Sequence, residues 1–196
     1  VALVATAAMI GLLWNRKARI ATALIALVVL IVVVLSSSLS AVLSEKLFLQ
    51  DWSGQTRIAI WQETVAMLRD NPVNGAGLAG YQSALAPYHT HDYLEIFLYP
   101  HNFIFNFWSE TGLYGLISFL GVCATLLIML FARLRRENTF FIRVTSFALF
   151  GAFMTILIHG LVDVPYFKND LSVFFWFLVG SSIVLYRYGQ KGIYTH

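Results

Sequence analysis

Two polar residues, His101 and Asn102, stand between Pro100 and a long apolar segment of the chain. Because that segment is long enough to enter a membrane, we expect His101 to lie at the membrane surface. An imidazole titrates near neutral pH and can take a proton from a hydroxyl group, and an asparagine before a helix commonly caps its first turn. The pair indicates either a general base or an interfacial histidine among anchoring aromatic residues.

A second candidate is Arg57, which lies four residues before Trp61 and therefore shares a helix face with it. The guanidinium group presents a fixed fork of N–H donors that suits phosphate oxygens. One interpretation is therefore a site for a phosphorylated substrate. The alternative is a structural arginine that forms an ion pair with Glu63 or Asp70.

His159 and Asp163 are also four residues apart, at the end of an apolar segment. Ionisable groups at membrane depth are costly and usually face a protein interior or a wet cavity. We expect the two residues to orient each other, or Asp163 to pair with Arg57 or His101. A purely structural hydrogen-bonded pair is the alternative.

Three further residues follow His101 in the same apolar segment. Glu110 is spaced to face the same cavity as Asn102, although a structural hydrogen bond would explain it as well. Gly112 and Gly115 are predicted to permit close contact between helices.

A group of His89, His91 and Asp92 suggests a metal site at first sight. The spacing lacks the second pair of ligands that is typical of zinc. We therefore expect exposed loop histidines here, and the sequence predicts no metal and no cofactor.

The composition indicates that the lipid bilayer is part of the solvent of this protein. Of the 196 residues, 59% are hydrophobic and 12% are charged, whereas a soluble domain is about half apolar and about a quarter charged. This composition disfavours a soluble enzyme. There is no polybasic patch of the kind that binds nucleic acid. The predicted fold class is all-α, a polytopic bundle of membrane helices.

Four to five membrane segments are predicted: a truncated one at 1–14, and full segments at 20–43, 102–132, 140–162 and 171–186. The first segment is short, and we expect the chain to be the C-terminal part of a larger polytopic protein. Basic residues flank the segments in three clusters that fall on one side if the segments alternate. Positive residues favour the cytoplasmic side, so the loop 44–101 is expected outside.

This pattern divides the chain into membrane helices at 1–43, an outer loop at 44–101 and three C-terminal membrane helices at 102–196. The loop is predicted to fold. Helical spacing is seen at Ile58, Trp61, Val65 and Leu68. Asn71-Pro72 is expected to end this helix, and Asn74-Gly75-Ala76-Gly77 to form a sharp turn. A second amphipathic helix is predicted in HDYLEIFLYP, which ends at Pro100.

The O-antigen ligase and polymerase superfamily has a C-terminal signature that this chain resembles. The resemblance extends over residues 55–177 and includes HGLVDVPYFKNDLSVFFW, which begins at His159. It rests on the order of Arg57, Trp61, Asn71-Pro72, Gly75, Gly77, His101-Asn102, Glu110, Gly112 and Gly115.

The resemblance implies a polytopic glycosyltransferase of the GT-C type in the bacterial inner membrane. Such enzymes move a glycan from a polyprenyl diphosphate to a sugar hydroxyl of an acceptor glycan or glycolipid on the outer face, without a required metal. Catalytic roles map to His101 and Arg57. Substrate-contacting roles are predicted for Trp61, Asn102, Glu110, His159 and Asp163.

Other functions remain open at this point. A ligase and a polymerase share the signature and differ in their acceptor. A proton-coupled transporter would use His159 and Asp163 as its titrating pair. A membrane scaffold without catalytic activity would tolerate replacement of Arg57 and His101.

Overall fold

The computed structural model describes residues 4, 6–8, 11, 16–91, 93–136, 139–167 and 169–191. This part of the chain is helical and contains no strand, so the predicted all-α fold is confirmed. Most of the predicted first segment, 1–14, lies outside the described residues. The α-helices with defined bounds are α1 (Arg16–Leu35), α2 (Ser37–Leu47), α3 (Trp52–Asp70), α4 (Tyr81–Leu85), α5 (Phe103–Arg136), α6 (Phe140–Gly160) and α7 (Asn169–Lys191).

Four helices in the described ranges are long and apolar enough to cross a membrane by length and composition: α1, α5, α6 and, within α7, Leu171–Tyr188. The last three pack together around fully buried side chains such as Leu130, Phe153 and Phe175. The rings of Phe153 and Phe175 meet edge to face with centroids 5.7 Å apart. By contrast, α1 has no buried residue.

The predicted segment 20–43 is wrong as a single helix, because the chain leaves the helical conformation at Ser36 (φ −105°, ψ 103°). The Ser36 hydroxyl oxygen accepts a hydrogen bond from the Leu39 backbone N–H at 3.3 Å and so caps α2. Serine side chains compete with the helix for backbone groups in this way. The apolar stretch is therefore divided between α1 and α2.

The helix predicted within the loop 44–101 is confirmed as α3, whose C-terminal cap is Asn71. The second predicted helix in this loop is wrong, since residues 93–100 form turns and bends. The reason is that backbone groups of the loop pair with side chains: the Gln82 amide donates to the Ile96 carbonyl at 2.8 Å. Helix α4 and a short 3-10 helix, Ala86–Tyr88, precede the loop.

The glycine-rich turn after α3 is confirmed, with Gly75 and Gly77 at φ 64° and 77°. It docks on α5 where Gly112, at φ 72° and ψ 179°, interrupts the helix. A Cβ on Gly112 would lie 2.4 Å from the Val73 carbonyl oxygen. The glycine thus admits loop backbone, not a neighbouring helix as predicted, and Gly115 faces Thr111 of its own helix.

Candidate functional site

The junction between the loop 44–101 and α5 is built around Asn102. Its Oδ1 accepts hydrogen bonds from the backbone N–H groups of Ile104 (2.9 Å) and Phe105 (3.2 Å), so the predicted cap is confirmed. Its Nδ2 donates to the Leu161 carbonyl at 2.9 Å. Asn102 therefore holds the start of α5 against the end of α6, and the residues at these two ends meet.

His101 occupies a strained position immediately before this cap. Its φ of 49° lies in the left-handed region, which is uncommon for a residue with a side chain. The imidazole packs edge-on against Phe97 and Tyr99, with ring centroids 5.5 Å and 4.9 Å away. These contacts hold the ring in one orientation, and such strain concentrates at functional sites.

The Asp163 carboxylate lies between two histidines. Its Oδ1 is 3.5 Å from Nδ1 of His101, and its Oδ2 is 3.6 Å from Nε2 of His159. Oδ1 also accepts a hydrogen bond from the Val164 backbone N–H at 2.8 Å, which fixes the carboxylate. The side chain of His159 is 53% exposed, whereas that of His101 is 25% exposed. Two of the predicted pairings, His159 with Asp163 and His101 with Asp163, therefore occur together.

Arg57 reaches the same end of the helix bundle from α3. Its Nε donates to the Val162 carbonyl at 3.0 Å, beside Asp163, and its Nη1 bonds the backbone carbonyl and the hydroxyl of Ser53. The expected ion pairs with Glu63 or Asp70 do not form within the described ranges. The carboxylates of these two residues accept hydrogen bonds from other side chains.

Consequently, the half-buried guanidinium group of Arg57 has no carboxylate partner among the residues that the structure describes. Nor does Nη2 have a hydrogen-bond partner in this part of the chain. An arginine held by neutral groups, with N–H donors left over, is chemically able to receive an anion.

Trp61 contacts the residue that precedes His101. Its indole Nε1 donates to the Pro100 carbonyl at 2.8 Å, and its ring lies 6.3 Å from that of Phe105. Trp61 therefore fixes the residue before His101. A direct contact of Trp61 with substrate stays a prediction.

Glu110 forms no contact with His101, Asp163 or Arg57 in the described part of the chain. Its Oε2 accepts a hydrogen bond from the backbone N–H of Ala79 at 2.6 Å, which ties the glycine-rich turn to α5. It lies eight positions after Asn102, or about 12 Å further along the helix axis. The structural alternative thus accounts for the position of Glu110.

Sequence reasoning missed a second polar cluster, which is centred on the Glu63 carboxylate of α3. Its two oxygens lie 3.1 Å from Nδ1 of His89 and 2.8 Å from Nδ1 of His91, and the Thr90 backbone N–H donates to it at 2.9 Å. The Glu63 side chain is only 5% exposed, and the two histidines are half-buried. The expectation of exposed loop histidines is therefore wrong. Asp92 lies outside the described residues.

The surroundings of the Glu63 carboxyl favour its ionised form. Burial alone would raise the pKa of the Glu63 carboxyl, but hydrogen bonds from its two histidine neighbours and from Thr90 outweigh it and lower the pKa to about 2. Nε2 of His89 also lies 2.9 Å from the Leu94 carbonyl oxygen. Because that carbonyl and the ionised carboxylate both accept, only a doubly protonated His89 satisfies both contacts.

The sequence carried one signal for this cluster. Glu63 lies on the same helix face as Ile60 and Met67, which are both buried. An acidic residue within an apolar face requires partners, because a buried charge is costly unless it is paired. No set of three His, Cys, Asp or Glu side chains in the described ranges is placed to hold a metal ion.

The fold and the site define a helical membrane protein with a histidine–carboxylate group and an arginine at one end of its spans. Residues 1–120 match the O-antigen ligase family, and the chain belongs to that family. The matched range includes Arg57, His101 and Asn102 and ends before His159 and Asp163. No curated protein and no solved structure matches the chain.

Proposed function

We propose that this protein is a glycosyltransferase of the O-antigen ligase or polymerase type, which takes its glycan from a polyprenyl diphosphate. The observation that carries the proposal is the pairing of His101 with Asp163 beside an arginine that no carboxylate neutralises in the described structure. Family membership supports a ligase or polymerase function in general. The lipid-linked donor, the hydroxyl acceptor and the residue roles are our proposal.

His101 is the proposed general base. A proton on Nδ1 directed at Asp163 leaves Nε2 with a free lone pair. The acceptor hydroxyl gives its proton to Nε2 while its oxygen attacks the anomeric carbon, and Asp163 stabilises the imidazolium that forms. The bond between the anomeric carbon and the phosphate oxygen breaks in the same displacement, so the anomeric configuration inverts.

Arg57 is the proposed partner of the leaving diphosphate. Charge develops on the phosphate oxygens as the glycosidic bond breaks, and a preorganised cation stabilises it without reorganisation. The Val162 and Ser53 contacts hold the guanidinium group in place. We propose that this charge stabilisation needs no divalent metal ion.

The position of the site supports an outer-face reaction. His101 precedes α5, and His159 lies in the last turn of α6, so the candidate residues stand at one end of these spans. The basic residues Arg133, Arg135 and Arg136 stand at the other end of α5. Positive residues favour the cytoplasmic side, so we propose that the site faces outward from the bacterial inner membrane.

The same placement disfavours the transporter alternative. A proton-coupled transporter carries its titrating groups near the middle of the membrane. Here His159 is next to the last residue of α6, and Asp163 follows the helix. We therefore propose that a lipid head group arrives at this ionisable cluster.

The test is a transfer assay with the full-length protein in liposomes. The donor is a polyprenyl-diphosphate-linked oligosaccharide, the acceptors are a lipid-anchored core glycan and a second lipid-linked repeat, and EDTA is present. His101→Asn is the informative variant, because asparagine tolerates the left-handed conformation at this position and cannot act as a base. We expect it to reduce release of polyprenyl diphosphate by at least about a hundredfold.

Thermal unfolding of the variant serves as the control for its fold. Equal release from the wild type and His101→Asn would remove His101 from the chemistry. Release that EDTA abolishes and added magnesium restores would overturn metal independence. A wild type that releases nothing with either acceptor would contradict the transfer itself, and elongation of one acceptor distinguishes a ligase from a polymerase.

A further inference from the structure

Two exposed aromatic rings form a pair in the loop 44–101. The rings of Trp52 and Tyr93 lie 5.9 Å apart at an angle of 48°. Trp52 is 71% exposed and Tyr93 is 68% exposed, so each presents most of its surface to the surroundings. Contiguous exposed apolar surface with a polar rim is typical of interaction and ligand-binding sites.

This pair, which we name the Trp52–Tyr93 shelf, is held in place by the buried Glu63 cluster. The ring of His91 meets that of Tyr93 edge to face with centroids 5.7 Å apart. Nδ1 of His91 is in turn fixed at 2.8 Å from Glu63. A buried carboxylate is costly, and here it preorganises a loop that carries an exposed ring.

Both halves of the shelf belong to elements that lead to the candidate site. Trp52 begins α3, and the next residue, Ser53, accepts two hydrogen bonds from Arg57. Tyr93 stands at the start of the loop that ends at His101. Along the chain, the shelf therefore lies close to Arg57 on α3 and at the start of the loop that ends at His101.

The chemistry of the shelf suits a sugar. The face of an aromatic ring carries partial negative charge, which matches the polarised C–H bonds on the apolar face of a pyranose. The flanking residues are charged: the Asp51 carboxylate before Trp52 pairs with Lys46, and the exposed Glu95 follows Tyr93 by two positions. Carboxylates at these positions favour an aqueous setting over insertion of the rings into lipid.

We propose that the Trp52–Tyr93 shelf is a glycan-binding subsite that holds a sugar ring of the substrate next to the reaction centre. This inference rests on the proposed function and adds two specificity-determining residues to it. Neither ring takes part in bond making, so both act on binding of the glycan. The Glu63 cluster acts indirectly by positioning Tyr93.

The experiment compares Trp52→Ala and Tyr93→Ala with Trp52→Phe and Tyr93→Phe, which keep an aromatic ring. Tyr114→Ala is the matched control, since Tyr114 is 74% exposed and lies on α5, away from the shelf. The probes are the lipid-linked oligosaccharide of the transfer assay and the free oligosaccharide released from it by mild acid. We expect each shelf alanine variant to raise KM or Kd about tenfold with little change in kcat. The phenylalanine variants and the control should stay near wild type.

A parallel measurement uses vesicles of brominated phosphatidylcholine, which quench tryptophan fluorescence within the bilayer. The quenching attributable to Trp52 is the difference between wild type and Trp52→Phe. Strong quenching together with unchanged KM and Kd in both alanine variants would overturn the subsite and identify a membrane anchor. Failure of the wild type to transfer would contradict the proposed function alone, because binding of the free oligosaccharide still decides whether the shelf holds a sugar.

Discussion

Nδ1 of His101 lies 3.5 Å from Oδ1 of Asp163, and this contact joins the segment that precedes α5 to the segment that follows α6. The family match ends at residue 120, so the carboxylate beside the proposed base comes from a part of the chain outside the match. The Asn102 amide brings the two segments together through the Leu161 carbonyl. The cap of one membrane helix thereby assembles the site.

Asp163→Asn is expected to lower kcat of the transfer reaction by about ten- to a hundredfold. Asparagine keeps the size of the side chain, but it cannot stabilise a protonated His101 by its charge. The measurement is steady-state transfer with the lipid-linked donor. KM for the donor should stay near wild type if, as proposed, Asp163 acts on the base His101 and not on the diphosphate.

Two comparisons accompany this variant. Asp163→Glu keeps the charge and should therefore retain a higher kcat than Asp163→Asn. If the role of Asp163 were merely structural, Asp163→Asn would be the less damaging variant, because asparagine keeps the size of the side chain. His159→Gln should cost less than Asp163→Asn, since the His159 side chain is 53% exposed and lies on the far oxygen of the carboxylate. A donor KM that rises with unchanged kcat in Asp163→Asn would contradict the positioning role.

Arg57→Ala is expected to weaken diphosphate binding by about ten- to a hundredfold, the range for a charge-assisted hydrogen bond. Arg57→Lys should fall between alanine and wild type, because lysine keeps the charge but lacks the fork that bonds Val162 and Ser53. The readouts are KM for the donor and inhibition by inorganic diphosphate.

Arg69→Ala is the matched control, because Arg69 is exposed in the last turn of the same helix. Its donor KM and its inhibition by diphosphate should equal those of the wild type. If Arg57→Ala lost thermal stability and retained its inhibition by diphosphate, the arginine would be a structural link between α3 and the segment after α6.

The sequence predicted the parts of this fold that depend on local periodicity. The length of the apolar segments identified α5, α6 and α7, and helical spacing identified α3. It also indicated that Asn102 caps α5, because capping depends on residues a few positions away. His159 and Asp163 were paired correctly because a helix places residues four apart on one face.

What the sequence could not predict depends on contacts between distant segments. Glu63 reaches His89 and His91 across the outer loop, and no local pattern specifies that pairing. The stretch 91–100 was predicted as a helix because its apolar spacing was read without two long-range contacts: Gln82 with the Ile96 carbonyl, and Glu63 with the Thr90 backbone N–H. Likewise, Gly112 was assigned to helix contacts, although it accommodates the Val73 carbonyl.

Glu63→Gln is expected to destabilise the protein at neutral pH and to matter less in acid. The pKa of the Glu63 carboxyl is lowered from 4.5 to about 2, so the folded state prefers the ionised form. The stabilisation is fully present above about pH 4.5 and is lost as pH falls towards about 2. Its size is up to about 3 kcal/mol.

The measurement is the midpoint of thermal unfolding in detergent at about pH 7 and about pH 3.5, for wild type and variant. The difference in unfolding midpoint between wild type and Glu63→Gln should be smaller at the lower pH. Glu95→Gln is the control, since Glu95 is exposed on the same loop and should show no gap at either pH. A gap of equal size at both pH values would mean that the hydrogen bonds of Glu63 act independently of its charge.

Gly112→Ala is expected to destabilise the junction between the glycine-rich turn and α5 by about 1–3 kcal/mol. An alanine there must adopt φ 72°, and its Cβ would lie 2.4 Å from the Val73 carbonyl oxygen. The Leu113 backbone N–H, which donates to the same carbonyl at 2.9 Å, would lose this bond as the turn moves away. Gly121→Ala is the matched control on the same helix, because nothing lies within 4 Å of a Cβ there. Thermal unfolding should therefore shift downward for Gly112→Ala alone, and equal midpoints for the two variants would show that the turn yields to the added methyl group at no cost.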